Sequence, residues 1–177
     1  MTGNKADMAL LHAVRGQMSL DSDSVHGPAH WMQVAFNGRL LARETGADPI
    51  VVRLFAFFHD ARRLDEWEDP EHGFRGGELA RAWRGIRYEL DDRRLDLLVC
   101  ACRVHTSAVS PTDDITVDTC IDADRLDLAR VGIMPDPGRL LTDSARAFAC
   151  RAREEGVQLD DYRSYLLSFG SSDERQH

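Results

Sequence analysis

Apolar residues recur every three or four positions along most of the chain, which is the period of amphipathic α-helices. Strict alternation of apolar and polar residues, the pattern of half-buried β-strands, is almost absent. The sequence therefore predicts an all-α fold, a single compact helical bundle of about six to eight helices. The segments with helical period are 6–18, 27–46, 47–63, 74–85, 91–106, the later half of 115–132, 139–154 and 158–168.

Several of these segments carry the residues that usually begin or end a helix. Pro28 and Pro49 stand where a first turn begins, and a proline there costs nothing because its missing N–H would have no helical partner. Asp48 precedes Pro49 as a candidate N-cap, and Gly46 follows the second segment as a candidate C-cap. Polar or Pro-rich stretches predict loops or breaks, and the chain ends are expected to fray. These stretches are 64–73, 107–114 and 133–138, and the ends are about 1–5 and 170–177.

The most apolar helix ends in two side chains that titrate and bind metals. It contains IVVRLFAFFHDARR, residues 50–63, in which His59 and Asp60 follow a run of core-type residues. Burying a charged pair costs several kcal/mol unless it is paired or bound to a metal. The pair therefore lies either on the surface at a helix end or beside a cation in the interior.

Composition and charge exclude several classes of protein. The 177 residues, 43% hydrophobic and 29% charged, fit one globular domain, which we place at 1–177. No apolar run approaches the roughly 18 residues of a membrane span, and the N-terminus lacks signal-peptide features, so we expect a cytoplasmic protein. A net charge of −8 argues against an extended nucleic-acid surface or a membrane surface. It is compatible with a small anionic substrate held by local arginines, and with a homo-oligomer.

The four cysteines do not have the spacing of a zinc finger. Cys100 and Cys102 form CAC rather than CxxC, and neither Cys120 nor Cys150 has a close partner. We therefore expect reduced thiols that pack as small apolar groups.

Histidines and aspartates lie among core-type residues in four predicted helices. They are His30, His59, Asp60, His105 and Asp124. Imidazoles and carboxylates on buried helix faces need a common partner, and helical bundles bind metals by projecting such side chains inward. Nitrogen and carboxylate ligands without thiolate suit Mn, Fe, Co, Ni or Zn and fit an all-oxygen calcium site poorly.

The order of these residues resembles the motif of the HD superfamily of metal-dependent phosphohydrolases. The similar segments are AHWMQV around His30, FAFFHDARR around His59-Asp60, and DADRLDL around Asp124, within about residues 24–130. Arg62 departs from the family, which often has a glycine at that position. The resemblance implies an HD-type helical bundle in which His30, His59, Asp60 and Asp124 bind a divalent metal, with Mg as a further option.

Two more histidines raise the question of a second ion. His72 ends the predicted loop after His59-Asp60, and His105 ends a helix. Some HD proteins carry histidines at comparable places that bind a second metal, with the aspartate of the pair bridging both ions. On that view Asp60, His72 and His105 are catalytic, and paired ions clamp a phosphoryl group. In the alternative, one ion binds, His72 positions the substrate and His105 donates a hydrogen bond to a ligand.

Four basic residues near these motifs are predicted to bind an anionic substrate: His26, Arg62, Arg63 and Arg125. Arginine suits phosphate because its planar fork donates two parallel hydrogen bonds. The alternative for each arginine is a surface ion pair with an acidic neighbour. His26 precedes His30 by one helical turn and has three open roles: binding phosphate, protonating a leaving group or capping the helix.

The resemblance selects Asp124 rather than Asp122, and the helix register gives an independent prediction. Residues two apart on a helix differ by about 200°, so the two carboxylates cannot face one metal. Asp124 shares a face with the core-type residue Ile121, whereas Asp122 lies with Asp118 and Arg125 on a polar face. Asp122 is therefore predicted to face solvent.

Three functions remain open on this evidence. The first is hydrolysis of a small phosphate mono- or diester, of which a nucleotide is one example, by a metal-activated water. The second is a di-iron oxygenase, because some HD-type proteins with the fuller histidine set cleave C–C or C–P bonds with O₂. The third is a non-catalytic metal-bound sensor or scaffold, and the full set of ligands speaks against it because a scaffold has no evident need for inward-facing histidines.

Overall fold

A computed structural model describes residues 5–21 and 23–171 of the chain, and over these residues the all-α prediction is confirmed. No β-strand occurs among them. The predicted frayed ends fall largely on 1–4 and 172–177, which lie outside the described residues. The helices are α1 (Lys5–Arg15), α2 (Pro28–Thr45), α3 (Pro49–Phe58), α4 (His72–Trp83), α5 (Asp92–Val104), α6 (Ile115–Arg125), α7 (Asp143–Glu154) and α8 (Tyr162–Ser171).

The predicted signals at the turn between α2 and α3 are confirmed. Gly46 has a φ of 74°, a left-handed conformation that a glycine adopts without strain, and it ends α2. The Asp48 carboxylate accepts hydrogen bonds from the backbone N–H groups of Ile50 and Val51, at 2.9 and 3.3 Å. These bonds satisfy two amides at the start of α3 and fix its direction.

α3 lies at the centre of the bundle. It packs against α2, α4, α5 and α6, and seven of its ten residues are buried, as expected for a helix that is almost entirely apolar. Because α3 ends at Phe58 inside the core, the next two residues, His59 and Asp60, are only 0% and 3% exposed. The pair therefore lies in the interior rather than on the surface.

α4 begins at His72, two residues before the predicted start, so the preceding loop is shorter than expected. Its glycines allow close packing. A Cβ atom at Gly73 would collide with the carbonyl oxygen of Cys102 in α5, and one at Gly76 would collide with that of Phe58 in α3. The glycines that appear to weaken this helix thus bring His72 close to α3 and α5.

The prediction for 115–132 has the wrong half helical. α6 covers Ile115–Arg125, because the Asp114 carboxylate accepts a 2.8 Å hydrogen bond from the Thr116 N–H and starts the helix early. After α6 the chain forms a 3₁₀ turn, Leu128–Val131, which ends at Gly132. This early ending places Asp124 in the last turn of α6 and Asp127 just beyond it.

The prediction that the cysteines are reduced and pack as small apolar groups is only partly confirmed. All four cysteines are free, but only Cys102 and Cys120 are buried, whereas Cys100 and Cys150 are exposed. Among the described helices, none combines the length and the apolar character that crossing a membrane requires.

Candidate metal centre

The six side chains predicted to bind metal come together at one place in the bundle. His30 lies in α2, His59 and Asp60 follow α3, and His72 begins α4. His105 follows α5, and Asp124 belongs to the last turn of α6. Five of the six are buried, and the Asp124 side chain is 16% exposed.

The first group contains His30, His59 and Asp124 with one oxygen of Asp60. The Nε2 atoms of His30 and His59 are 3.1 Å apart. Asp124 Oδ1 lies 3.2 Å from Nε2 of His30 and 3.8 Å from that of His59. Asp60 Oδ2 lies 3.7 and 3.6 Å from the same two nitrogens. The donor atoms of His30, His59 and Asp60 thus lie within 4.8 Å of one another, and Asp124 Oδ1 lies beside both imidazoles.

The second group contains His72 and His105 with the other oxygen of Asp60. The Nε2 atoms of these histidines are 3.0 Å apart. Asp60 Oδ1 lies 3.2 Å from Nε2 of His72 and 3.8 Å from Nε2 of His105. One carboxylate therefore joins the two groups, with a different oxygen facing each pair of imidazoles.

The outer nitrogen of each imidazole faces an oxygen acceptor. His30 Nδ1 donates to Asp127 Oδ2 at 2.8 Å, and His105 Nδ1 donates to the carbonyl of Cys102 at 2.7 Å. His59 Nδ1 lies 3.2 Å from its carbonyl acceptor, Phe55, and His72 Nδ1 bonds the carbonyl of Asp69. A carbonyl oxygen only accepts, so the proton of each neutral ring belongs on Nδ1 and a lone pair remains on Nε2.

This arrangement fits a bound cation. Within each group the two Nε2 atoms lie about 3 Å apart, and when both rings are neutral with the proton on Nδ1, neither Nε2 has a proton to share. Asp60 Oδ1 is buried and accepts no hydrogen bond from the described residues. A buried carboxylate oxygen without a donor is costly, and a metal ion among these atoms removes that cost. The donor set of imidazoles and carboxylates without thiolate suits a transition metal.

The electrostatics of the first group also favour positive charge. Burial lowers the pKa of His59 to about 3, so this imidazole stays neutral and keeps its lone pair. Burial alone would lower the pKa of His30, but hydrogen bonds to Asp124 and Asp127 outweigh it and raise the pKa. Burial alone would likewise raise the pKa of Asp60, yet the surrounding imidazoles hold it well below its usual range, so the carboxylate stays charged.

The prediction that Asp122 faces solvent is wrong. Asp122 is 0% exposed, and its carboxylate accepts hydrogen bonds from the N–H groups of Leu141 and Thr142 and from the Thr142 hydroxyl. Asp118 is buried as well. Asp122 contacts the segment leading into α7, whereas Asp118 accepts a 2.8 Å hydrogen bond from the Thr112 N–H in the loop before α6. Asp122 therefore has a structural contact, and Asp124 alone of the two reaches the histidines.

Two of the four residues predicted to bind substrate lie beside the cluster. His26 Nδ1 donates to Asp60 Oδ2 at 2.9 Å, and Arg63 Nη1 lies 3.6 Å from Asp60 Oδ1. His26 does not cap α2, because the N-cap is Gly27 without a side-chain hydrogen bond.

The other two arginines do not meet the cluster. Arg62 donates to the Gln17 side chain at 3.3 Å. Arg125 donates to the backbone carbonyls of Arg139 and Ala108, so it joins the α6 end to two loops. We therefore assign neither residue a role at the site.

Two residues at the site were missed by sequence reasoning. Asp127 holds the Nδ1 proton of His30 and is itself contacted by Arg163 of α8, at 3.2 Å. Arg130 donates to the carbonyls of Val25 and Asp127, and its guanidinium lies 3.4 Å from His26 Nδ1. A signal for Asp127 was present in DADRLDL, where it follows Asp124 by three residues and thus lies near the same helix face.

Comparison with known proteins supports the fold. No protein-family model and no curated protein matches the sequence. A crystal structure of a predicted HD superfamily hydrolase from an uncultured Thermotogales bacterium is similar to this chain, with a TM-score of 0.65 and 24% identity. The match covers 93% of this chain and 89% of the other. The protein therefore shares the all-helical fold of that predicted hydrolase, and two groups of its buried histidines with Asp60 are placed so that they could hold metal ions.

Proposed function

We propose that the protein is a metal-dependent phosphohydrolase that acts on a small phosphate mono- or diester, with nucleotides as one class to test. The observation that carries the proposal is the position of Asp60. Its two oxygens face two separate pairs of imidazole Nε2 atoms, at 3.2 to 3.8 Å. Such an arrangement of ligands is suited to one or two divalent ions that share a carboxylate.

The residues divide into two sets of ligands. His30, His59 and Asp124 with Asp60 would hold one ion, and His72 and His105 with Asp60 would hold a second. Bound divalent ions supply a water of lowered pKa and withdraw electrons from a phosphoryl oxygen. The phosphoester preference rests on the family resemblance and on the basic groups around the cluster.

Basic side chains surround the cluster in a chain whose net charge is −8. His26 lies beside Asp60 on one side, with the Arg130 guanidinium next to His26, and Arg63 lies beside Asp60 on the other. A local concentration of positive charge in an acidic protein suits a small anion. We expect Arg130 to donate to substrate oxygens, because its guanidinium is close to His26 and already oriented by two backbone carbonyls.

His26 is the best placed group to move a proton. Its Nδ1 lies against Asp60 Oδ2, and its Nε2 faces the carbonyl of Glu66 at 3.2 Å. A proton held at Nδ1 lies next to the ligand atoms and can pass to a leaving oxygen. Of its open roles, protonation of the leaving group is therefore the one that we propose.

The test is a metal and substrate panel with a matched pair of variants. Protein stripped of metal is assayed with Mn, Co, Ni, Zn, Mg and Fe(II) on 4-nitrophenyl phosphate, bis(4-nitrophenyl) phosphate and nucleoside phosphates. We expect metal-dependent phosphate or alcohol release that Asp60→Asn abolishes. Asp113→Asn changes an exposed aspartate and should keep the activity.

Three results would overturn the proposal. Asp60→Asn with wild-type metal content would show that the ligands are wrongly assigned. Metal-loaded protein that hydrolyses no phosphoester, but holds two irons and consumes O₂, would indicate an oxygenase instead. Loaded protein without turnover of any kind would favour a sensor.

A further inference from the structure

Arg63 lies at one of the two ligand groups and not at the other. Its side chain is buried, 10% exposed, and Nη1 lies 3.2 Å from His72 Nε2 and 3.6 Å from Asp60 Oδ1. These are the atoms that a second ion would need. Nη1 also lies 3.3 Å from His72 Nδ1, so the guanidinium lies against the imidazole ring of His72, beside both of its nitrogens.

The guanidinium is held in this position by the loop that follows it. Arg63 Nε donates to the carbonyl of Asp65 at 2.9 Å, and Nη2 donates to that of Glu66 at 3.5 Å. The loop is braced in turn, because the Asp69 carboxylate accepts from the Leu64 N–H at 2.7 Å. The positive charge beside the second group is therefore preorganised.

Within the described part of the chain, no arginine contact with a ligand nitrogen of the first group corresponds to that of Arg63 with His72. Arg130 approaches that side, but it donates to the carbonyls of Val25 and Asp127 and lies 3.4 Å from His26 Nδ1. Its contacts are thus with residues around the ligands rather than with a ligand Nε2. The two groups differ in charge although their imidazoles are arranged alike.

We propose that Arg63 makes the two metal positions unequal, because its positive charge lies beside His72 and the free oxygen of Asp60 and repels a second cation. The inference rests on the proposed metal centre. One ion binds tightly among His30, His59, Asp60 and Asp124. At the other position Arg63 already supplies a positive charge, and a second ion binds only weakly because the guanidinium repels it.

The size of the effect follows from Coulomb's law. A double and a single positive charge about 4 Å apart repel enough, even with the screening of bulk water, to weaken binding about thirtyfold. The effect is larger in a buried site, where screening is poorer. Removing the charge should therefore tighten the second dissociation constant by about thirtyfold or more.

The experiment is a titration of metal-free protein with Mn²⁺, followed by equilibrium dialysis and by electron paramagnetic resonance. We expect wild type to bind one ion tightly and a second one far more weakly. Arg63→Gln should bind two ions tightly. Its spectrum should be that of an exchange-coupled pair of ions, in place of the isolated ion of wild type, since paired ions lie about 3.5–4 Å apart.

Two matched variants separate charge from structure. Arg63→Lys keeps the positive charge and should keep the weak second site. Arg62→Gln removes the neighbouring charge, which contacts Gln17, and should leave both dissociation constants unchanged. The helical circular-dichroism signal of each variant checks that it is folded.

The outcomes distinguish the two proposals. Equal affinities for two ions in wild type, or an unchanged second dissociation constant in Arg63→Gln, would overturn the role of Arg63 and leave the metal centre intact. If Arg63→Gln does not fold, the wild-type titration still decides, because it must show unequal sites. Failure of wild type to bind any Mn²⁺ would overturn both the inference and the proposed function.

Discussion

Replacing Asp122 by alanine should strongly destabilise the protein without removing its metal. The carboxylate is 0% exposed, and it accepts from the Leu141 N–H at 2.9 Å, the Thr142 N–H at 2.7 Å and the Thr142 hydroxyl at 2.8 Å. Thr142 is also the N-cap of α7, where its hydroxyl oxygen accepts from the Ala145 N–H. Asp122 thus fixes the start of α7 against α6.

The magnitude follows from the donors left without an acceptor. Each buried donor that loses its partner costs about 1–3 kcal/mol, and the two backbone amides have no alternative acceptor in view. Burial raises the pKa of Asp122, so the charged carboxylate is itself partly destabilised and the loss is smaller than the sum. We expect about 3 kcal/mol, or roughly 6–12 °C in Tm for a protein of this size.

The assay is urea unfolding of metal-free protein, followed by circular dichroism. Asp113→Ala removes an exposed aspartate and should change the free energy of unfolding by less than about 0.5 kcal/mol. A loss below about 1 kcal/mol in Asp122→Ala, or a loss of bound metal from the folded variant, would refute the structural role given to this carboxylate.

Three further predictions concern the support of the site. Asp127→Asn should weaken metal binding about 10–100-fold, because it disturbs the proton that His30 holds on Nδ1. Asp136→Asn, at an exposed position, should leave metal binding unchanged. Equal metal dissociation constants for Asp127→Asn and wild type, measured by dialysis, would contradict this prediction. Gly76→Ala should lower the free energy of unfolding by roughly 1–3 kcal/mol, because the new Cβ atom would overlap the Phe58 carbonyl. Gly138→Ala should have little effect, because a Cβ atom there meets no close backbone atom. Similar urea midpoints for the two variants would speak against the close packing of α4. Chelation should lower Tm by roughly 5–10 °C if the ion was present at about a hundred times its dissociation constant, and an unchanged Tm would mean that no ion stabilises the fold.

The sequence was sufficient for most of the helices, which depend on local patterns, and for predicting which histidines and aspartates come together in the interior. Helical period, the Asp48 cap and the Gly46 ending are encoded by neighbouring residues. His59 and Asp60 were recognisable since they directly follow the most apolar helix, and the structure places both in the interior. Family resemblance then connected them with His30 and Asp124.

Contacts between distant segments were not predictable in the same way. Nothing near Asp122 indicates that its donors come from Leu141 and Thr142, which follow it by 19 and 20 residues. A polar face on α6 therefore looked solvent-exposed although it is buried.

The two neighbouring arginines, Arg62 and Arg63, also show what the sequence alone could not predict. Arg62 and Arg63 are identical and adjacent, so the pattern cannot say which one meets the ligands. The chain direction after α3 decides it: Arg62 turns toward Gln17, and Arg63 turns toward His72.

The most direct test of the account is a crystal structure of protein soaked in Mn²⁺, with data collected for anomalous scattering from manganese. The account predicts a peak among His30, His59, Asp60 and Asp124, at about 2.0–2.3 Å from the Nε2 atoms of both histidines. Absence of a peak there, or one at surface carboxylates only, would contradict the assignment of this cluster as a metal centre.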